Sequence, residues 1–241
     1  VVTVSLPEQN NFTPEPIPFG IAYEDEYLLV VDKPAGLLMH PTSGAHTGTL
    51  ANAVAYYYQQ NGLHCAYHPM HRLDKNTSGL CMIAKEPQIQ SAFDKKDLGY
   101  SRTYLAIVEG YFPSPFASVR VPIARCPDSI IKRQATAGGQ TAWSDFTRLE
   151  ANADWSLLQV TMHTGRTHQI RVHSSYLGFP LAGDDLYGGS RTCIQRQALH
   201  ACRIQFIHPM TGQCISVNSR LPADMNHLAA QAGWNYISQR L

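Results

Sequence analysis

Three short polar stretches interrupt an otherwise apolar chain, and each holds side chains able to do chemistry. The first, His71-Arg72-Leu73-Asp74-Lys75-Asn76-Thr77-Ser78-Gly79, sets a carboxylate between two cations. Arg72 and Lys75 favour the ionised form of Asp74, the form that attacks carbon or stabilises a developing cation. An architectural alternative is an ion pair or a turn. The second stretch is Thr164-Gly165-Arg166-Thr167-His168-Gln169-Ile170-Arg171-Val172-His173. Gly165 allows a tight turn into a helix start, a natural anion site that Arg166 would reinforce. Solvated arginines would give the same pattern. The third is Tyr104, a ring with a hydroxyl in an apolar strand, where most tyrosines are core residues with one hydrogen bond.

Rival chemistries lack their parts. His64, Cys65, His68 and His71 lie close together, but Pro69 breaks any helix that would align His68 with His71. No CxxC or HExxH completes a metal site, so none is expected. Ser129-Ile130-Ile131-Lys132 matches an SxxK pattern without the Ser-Asp-Asn and Lys-Thr-Gly that accompany it in penicillin-recognising enzymes. GxSxG, the Walker A loop and GxGxxG are absent, which leaves serine-hydrolase, nucleotide-triphosphatase and dinucleotide chemistry without support and no cofactor expected.

The chain has 241 residues and a net charge of +1. Only 15% of its residues are charged, against about 25% in an average soluble chain, which argues against disorder. The balance is uneven. Residues 1–100 hold 6 basic and 10 acidic side chains, while residues 101–241 hold 13 basic, 12 of them Arg, and 8 acidic. Arginine grips phosphate with a planar fork and stacks on bases, so nucleic acid is a candidate partner for the second part. No apolar run approaches the roughly 18–20 residues of a membrane span, and no basic-then-apolar opening reads as a signal. A cytoplasmic location is expected. Six cysteines without a CxxC pair read as reduced thiols.

The elements that must position these residues follow from periodicity and punctuation. Tyr27 to Lys33 and Leu80 to Lys85 read as buried strands, with Pro34 and Gly36 stopping the first. Thr49 caps a helix through Tyr58 that ends near Gly62. Further strands are expected at 102–110, 117–124, 141–149 and 155–163. Helices are expected at 86–98, at 167–177 with Gly178 as its stop, and at 222–232. Residues 198–207 and 213–218 form a hairpin across His208–Gly212. With no repeat and no regular strand–helix alternation, the fold class is α+β with a mixed, largely antiparallel sheet. Residues 1–20, with four prolines, read as an extended linker or arm before one domain at 21–241.

His71-Arg72-Leu73-Asp74-x-x-Thr77-Ser78-Gly79 resembles the signature of pseudouridine synthases of the RluA type. Five more blocks resemble the family in order. They are Asp32-Lys33-Pro34-Ala35-Gly36-Leu37 with His40-Pro41; Arg102-x-Tyr104-x-Ala106-x-Val108-x-Gly110; Thr164 to His173; Pro180-Leu181-x-Gly183-Asp184-x-x-Tyr187-Gly188; and Leu199-His200-Ala201. The resemblance implies the pseudouridine synthase fold and a cofactor-free isomerisation of uridine in structured RNA. Large-subunit ribosomal RNA is the favoured substrate and tRNA the second. A silent RNA-binding or ribosome-assembly factor on the same fold is the alternative from another class. The intact Asp74, Tyr104 and Arg166 count against it.

By the same resemblance, Asp74 is the catalytic aspartate, attacking C1′ or C6. Arg166 is the arginine paired with it, and Tyr104 lies under the target base. Arg72 fills the space of the flipped uridine, Ile170 is apolar against the base, and His71 and Arg171 bind substrate, with His71 also supporting the catalytic loop. No obligate protein partner is implied. An RNA-binding module upstream of residue 1 is expected, because the chain opens on Val1 with a proline-rich stretch.

Overall fold

The computed structural model describes residues 12–94 and 99–234. The first eleven residues of the expected arm therefore lie outside the described residues. Residues 12–19 have no regular structure but are not loose. Glu15 N–H donates to Asn52 O at 3.1 Å, and Asn52 Nδ2 donates to Thr13 O at 2.9 Å. Phe12 meets Tyr67 edge-on at 5.9 Å.

In chain order the elements are β1 (Gly20–Glu24), β2 (Leu28–Lys33), α1 (Leu50–Gln60), β3 (His68–Pro69), β4 (Ser78–Ala84) and α2 (Pro87–Asp94). There follow β5 (Tyr100–Glu109), β6 (Phe116–Val119), β7 (Ile123–Arg125), β8 (Arg133–Ala135), β9 (Ser144–Ala151) and β10 (Trp155–Met162). The chain continues with α3 (Gln169–Tyr176), β11 (Leu199–Ile207), β12 (Cys214–Asn218) and α4 (Ala223–Gln231). Ten strands form one sheet in the order β1-β2-β4-β11-β5-β10-β9-β6, with β3 on β4 and β12 on β11. Every pairing is antiparallel except β4 with β11. The class is α+β with a mixed, largely antiparallel sheet, as expected. β7 and β8 form a separate two-stranded hairpin.

Alternation along the central strands explains the core. Leu29, Val31, Cys81, Ile83, Tyr104, Ala106 and Val108 face α1 and α3 in one cluster. Their neighbours Leu28, Val30, Leu80 and Met82 pack with Ile89 and Phe93 of α2, and Leu105 and Ile107 with Met225 and Leu228 of α4. A strand buried on both faces reads as a continuous apolar run, which made β2, β4 and β5 visible in the sequence. Edge strand β1 and hairpin strand β8 lack that pattern and were not foreseen. α1 begins as expected, with Thr49 as its cap and reciprocal hydrogen bonds between Thr49 and Asn52.

β4 and β11 touch only at Ser78–His200 and Gly79–Ala201 before β3 and β12 take over their edges. Gly79 has φ +108°, and a Cβ there would stand 2.3 Å from Ala201 O, so only glycine permits the pinch. The loop 71–77 feeds directly into it. Among the described residues no helix is long and apolar enough to cross a membrane, and no group of three or more His, Cys, Asp or Glu converges as metal ligands would. Ser129 of the SxxK match accepts from the N–H groups of Ile131 and Lys132, closing the turn of the β7–β8 hairpin.

Candidate active site

Asp74 sits on a loop fastened from several sides. Fully buried Lys33 donates from Nζ to the carbonyls of Pro34, Leu37 and Lys75 at 2.9, 2.9 and 3.1 Å. Burial lowers the Lys33 ammonium to about 8, against the pull of Cys81 and Asp74. Gly36 N–H reaches the same Lys75 carbonyl at 2.9 Å. Arg196, clamped in bidentate fashion on Asp224, donates from Nη1 to Asn76 O at 3.1 Å, and Gln197 Nε2 donates to Thr77 Oγ1 at 3.2 Å. His71 belongs to this scaffold. Its Nε2 accepts Met82 N–H at 3.3 Å, its ring stacks on Tyr100, and burial holds the imidazole well below its usual range. Turned under the loop and 8% exposed, His71 supports the loop, as expected of it.

The arginine that pairs with Asp74 is Arg171, not Arg166. Arg171 Nη1 donates to Asp74 Oδ2 at 3.0 Å. Its remaining fork is fixed by Asp184, with Nε to Oδ2 at 2.7 Å and Nη2 to Oδ1 at 2.8 Å. The guanidinium also lies 4.9 Å from the centre of the Tyr187 ring. Burial opposes the Arg171 charge, but Asp184 and Asp74 reverse this and raise its pKa. The reason lies in where α3 begins. His168, with φ 58°, is in the left-handed region, so the first turn starts at Gln169 and carries Arg171 inward. Arg166 stays outside, its Nε donating to Thr141 O at 2.9 Å.

Gly183 shapes the turn that presents Asp184. Its φ is +78°, and a Cβ there would stand 2.0 Å from Arg196 O. Tyr104 and Ile170 are both 3% exposed and share one apolar cluster with Leu73. Burial raises the Tyr104 phenol to about 12, with Arg102 acting against that and Asp74 adding to it. Arg72 is exposed and makes no hydrogen bond or ion pair among the described residues.

The chain from Tyr27 to Tyr176, more than half of its length, matches the family described as RNA pseudouridylate synthase. It is 42% identical over 227 residues to the uncharacterized RNA pseudouridine synthase YhcT of Bacillus subtilis, covering 92% of this chain and 74% of that protein. The chain belongs to the RNA pseudouridylate synthase family. It is also 37% identical over 247 residues to the ribosomal large subunit pseudouridine synthase D of Zymomonas mobilis, covering 94% of this chain and 77% of that protein. The fold is similar to that of human RNA pseudouridylate synthase domain containing 4, with a TM-score of 0.70 at 22% identity over 89% of this chain and 93% of that one.

In this pseudouridine synthase, the loop, the strand β5 and the start of α3 bring Asp74, Tyr104, Ile170 and Arg171 to one side of the sheet. Three neighbours of the Asp74–Arg171 pair went unforeseen as site residues. His168 places Nε2 at 3.8 Å from Asp74 Oδ2, while its Nδ1 meets Tyr187 Oη at 2.8 Å. That phenol also accepts Arg133 N–H at 2.9 Å, so one hydroxyl ties the β7–β8 hairpin to the His168 ring. Burial lowers the His168 pKa, favouring the neutral imidazole. Asp184, Tyr187 and His168 all lie in the two blocks that resemble the family. Their cooperation becomes visible only when the turn at 180–189 folds back on α3.

Proposed function

We propose that this protein isomerises uridine in large-subunit ribosomal RNA to pseudouridine in the cytoplasm, with Asp74 as nucleophile. The observation that carries the reading is the Asp74–Arg171–Asp184 chain. It supports a carboxylate held at a fixed point by a cation that a second carboxylate has already oriented. The reaction breaks N1–C1′, turns the uracil, and joins C5 to C1′. The proton that leaves C5 is matched by one gained at N1, so composition is unchanged. A base inside folded RNA leaves its stack at a cost of a few kcal/mol. Exposed Arg72, free of intramolecular bonds, is suited to fill the gap by stacking and phosphate contact.

Tyr104 supplies a ring beneath the uracil, with Ile170 beside it. A phenol with a pKa near 12 is protonated at neutral pH. It therefore serves by passing a proton on as it receives one, not as a free base. Tyr104→Phe keeps the ring, so RNA binding should persist while turnover falls more than tenfold. Turnover close to native would leave stacking as its only role. The relatives named for ribosomal large subunit modification support ribosomal RNA as the substrate class. Pseudouridine mapping in a strain lacking the gene tests this. Loss of one or more sites in large-subunit RNA is expected, and loss only in tRNA, or none at all, rejects it.

A further inference from the structure

We propose that the cleft between the β7–β8 hairpin and the segment entering α3 is a built site for RNA backbone phosphate beside the nucleotide that is modified. This rests on the RNA-modifying function proposed above. The cleft is a cavity of about 440 Å³ whose lining includes Ile123, Arg125, Arg133, Gly139 and Arg166, and no carboxylate. The three arginines form no ion pair among the described residues, whereas Arg171, Arg191 and Arg196 each hold an aspartate. Arg166 is fixed at Nε by Thr141 O, which leaves both of its terminal nitrogens for a ligand. Arg133 lines the cleft although its Nη1 is itself buried. Three guanidinium groups gathered without a carboxylate repel one another, and an anion between them supplies charge-assisted hydrogen bonds.

The cleft is constructed at the backbone level as well. Ile123 and Gln140 exchange two hydrogen bonds of 2.9 Å. A Cβ on Gly139 would stand 2.5 Å from the Ile123 carbonyl carbon, so glycine is needed to bring these segments together. Planar guanidinium forks suit the paired oxygens of a phosphodiester, and three of them suit successive phosphates of one strand. The cleft adjoins the catalytic residues. Arg166 and Thr167 lead into His168, 3.8 Å from Asp74, and Arg133 N–H is bonded to the Tyr187 hydroxyl that orients His168.

Arg125→Gln tests the site, since Arg125 is exposed and its loss leaves the fold intact. With a modifiable RNA, the half-saturating concentration should rise about fivefold to tenfold. The slope of log K against log salt should become shallower by about 0.7–0.9. The single-turnover rate at saturating RNA should stay within twofold of native. Neutral methylphosphonates placed one at a time around the target should weaken native binding at one or two positions. At those same positions they should weaken Arg125→Gln no further. Unchanged half-saturation and slope, or fully additive effects at every position, overturn the proposal. So does inorganic phosphate that binds the native protein, fails to bind Arg125→Gln and does not compete with RNA, because the cleft would then serve a small anion. If the native protein forms no pseudouridine on any RNA, the function reading fails separately. The salt slope and methylphosphonate arms, read as binding alone, still decide the phosphate site.

Discussion

The loop carrying Asp74 and the β7–β8 hairpin carrying Arg125 and Arg133 are held by opposite means. Lys33, Arg196, Gln197 and His71 converge on the loop, and its neighbours in β4 are fully buried. The hairpin stands outside the main sheet. Ile123 packs with Ala142, Val172 and Tyr187, and one hydrogen bond joins Arg133 to Tyr187, while Ile130 and Ile131 at its turn are 83% and 59% exposed. A reacting group displaced by about 1 Å loses on the order of 10²-fold in rate, so the rigidity beneath Asp74 fits the nucleophilic role proposed for it. Few ties to the body suit the phosphate-binding role proposed for the hairpin, which would meet a large, irregular polymer.

The contrast has measurable consequences, the greatest at Asp74. Asp74→Asn keeps volume and most hydrogen bonding but removes the negative charge that the proposed attack requires. Pseudouridine formation, measured by mass spectrometry of digested RNA, should fall below about one per cent of native while RNA affinity stays within a few-fold. More residual turnover would remove Asp74 from its role. Asp184→Asn lies one step back. Breaking a buried pair costs about 3–5 kcal/mol, and Arg171 loses its aim, so turnover should drop about 10²-fold together with a lower unfolding midpoint. A variant that is destabilised yet fully active would mean that Arg171 is oriented by other means.

The third expectation concerns pH. Burial lowers the pKa of His71, His168, His173 and His200 in the folded protein, from an ordinary value of 6.5. Below about 6.5 the unfolded chain takes up protons that the folded one refuses. The stability from these neutral rings is therefore full at neutral pH and is lost as pH falls. Urea unfolding should show a lower midpoint near pH 5 than near pH 7.5, and equal midpoints would contradict the burial of these rings. No histidine lies in residues 120–140, so this loss belongs to the body and not to the hairpin. The smallest effect is expected at the hairpin turn. Ile130→Ser should change stability by no more than about 0.5 kcal/mol, because the side chain is already in water. A larger drop in thermal unfolding would show that the turn is packed in solution.

Much of this arrangement was legible from residue types. Strands with two buried faces announced themselves as unbroken apolar runs, and Thr49 marked its helix through its cap. The polar run around Asp74 stood out because its surroundings are apolar. The choice between Arg166 and Arg171 was not legible. Both lie in one motif, and which of them turns inward depends on the left-handed residue His168, which delays the helix start. A positive φ at a non-glycine residue has no local signature strong enough to anticipate. The side to which His71 turns was hidden for a related reason, since the face of a loop residue is set by what folds over it.

The pinch between β4 and β11 also governs when the enzyme comes into being. β4 and β5 are separated by fewer than twenty residues in the chain, yet β11, about ninety residues further on, lies between them in the sheet. The two early strands leave the ribosome long before the strand that joins them. Arg171, Asp184, Arg196 and Gln197 are likewise all made after Asp74. Distant pairings of this kind fold late and slowly, because closure entropy is spent before contacts repay it. A chain that ends before β11 therefore lacks the strand that joins the sheet, and one that ends before Asp224 still lacks the clamp on Arg196 beneath the Asp74 loop.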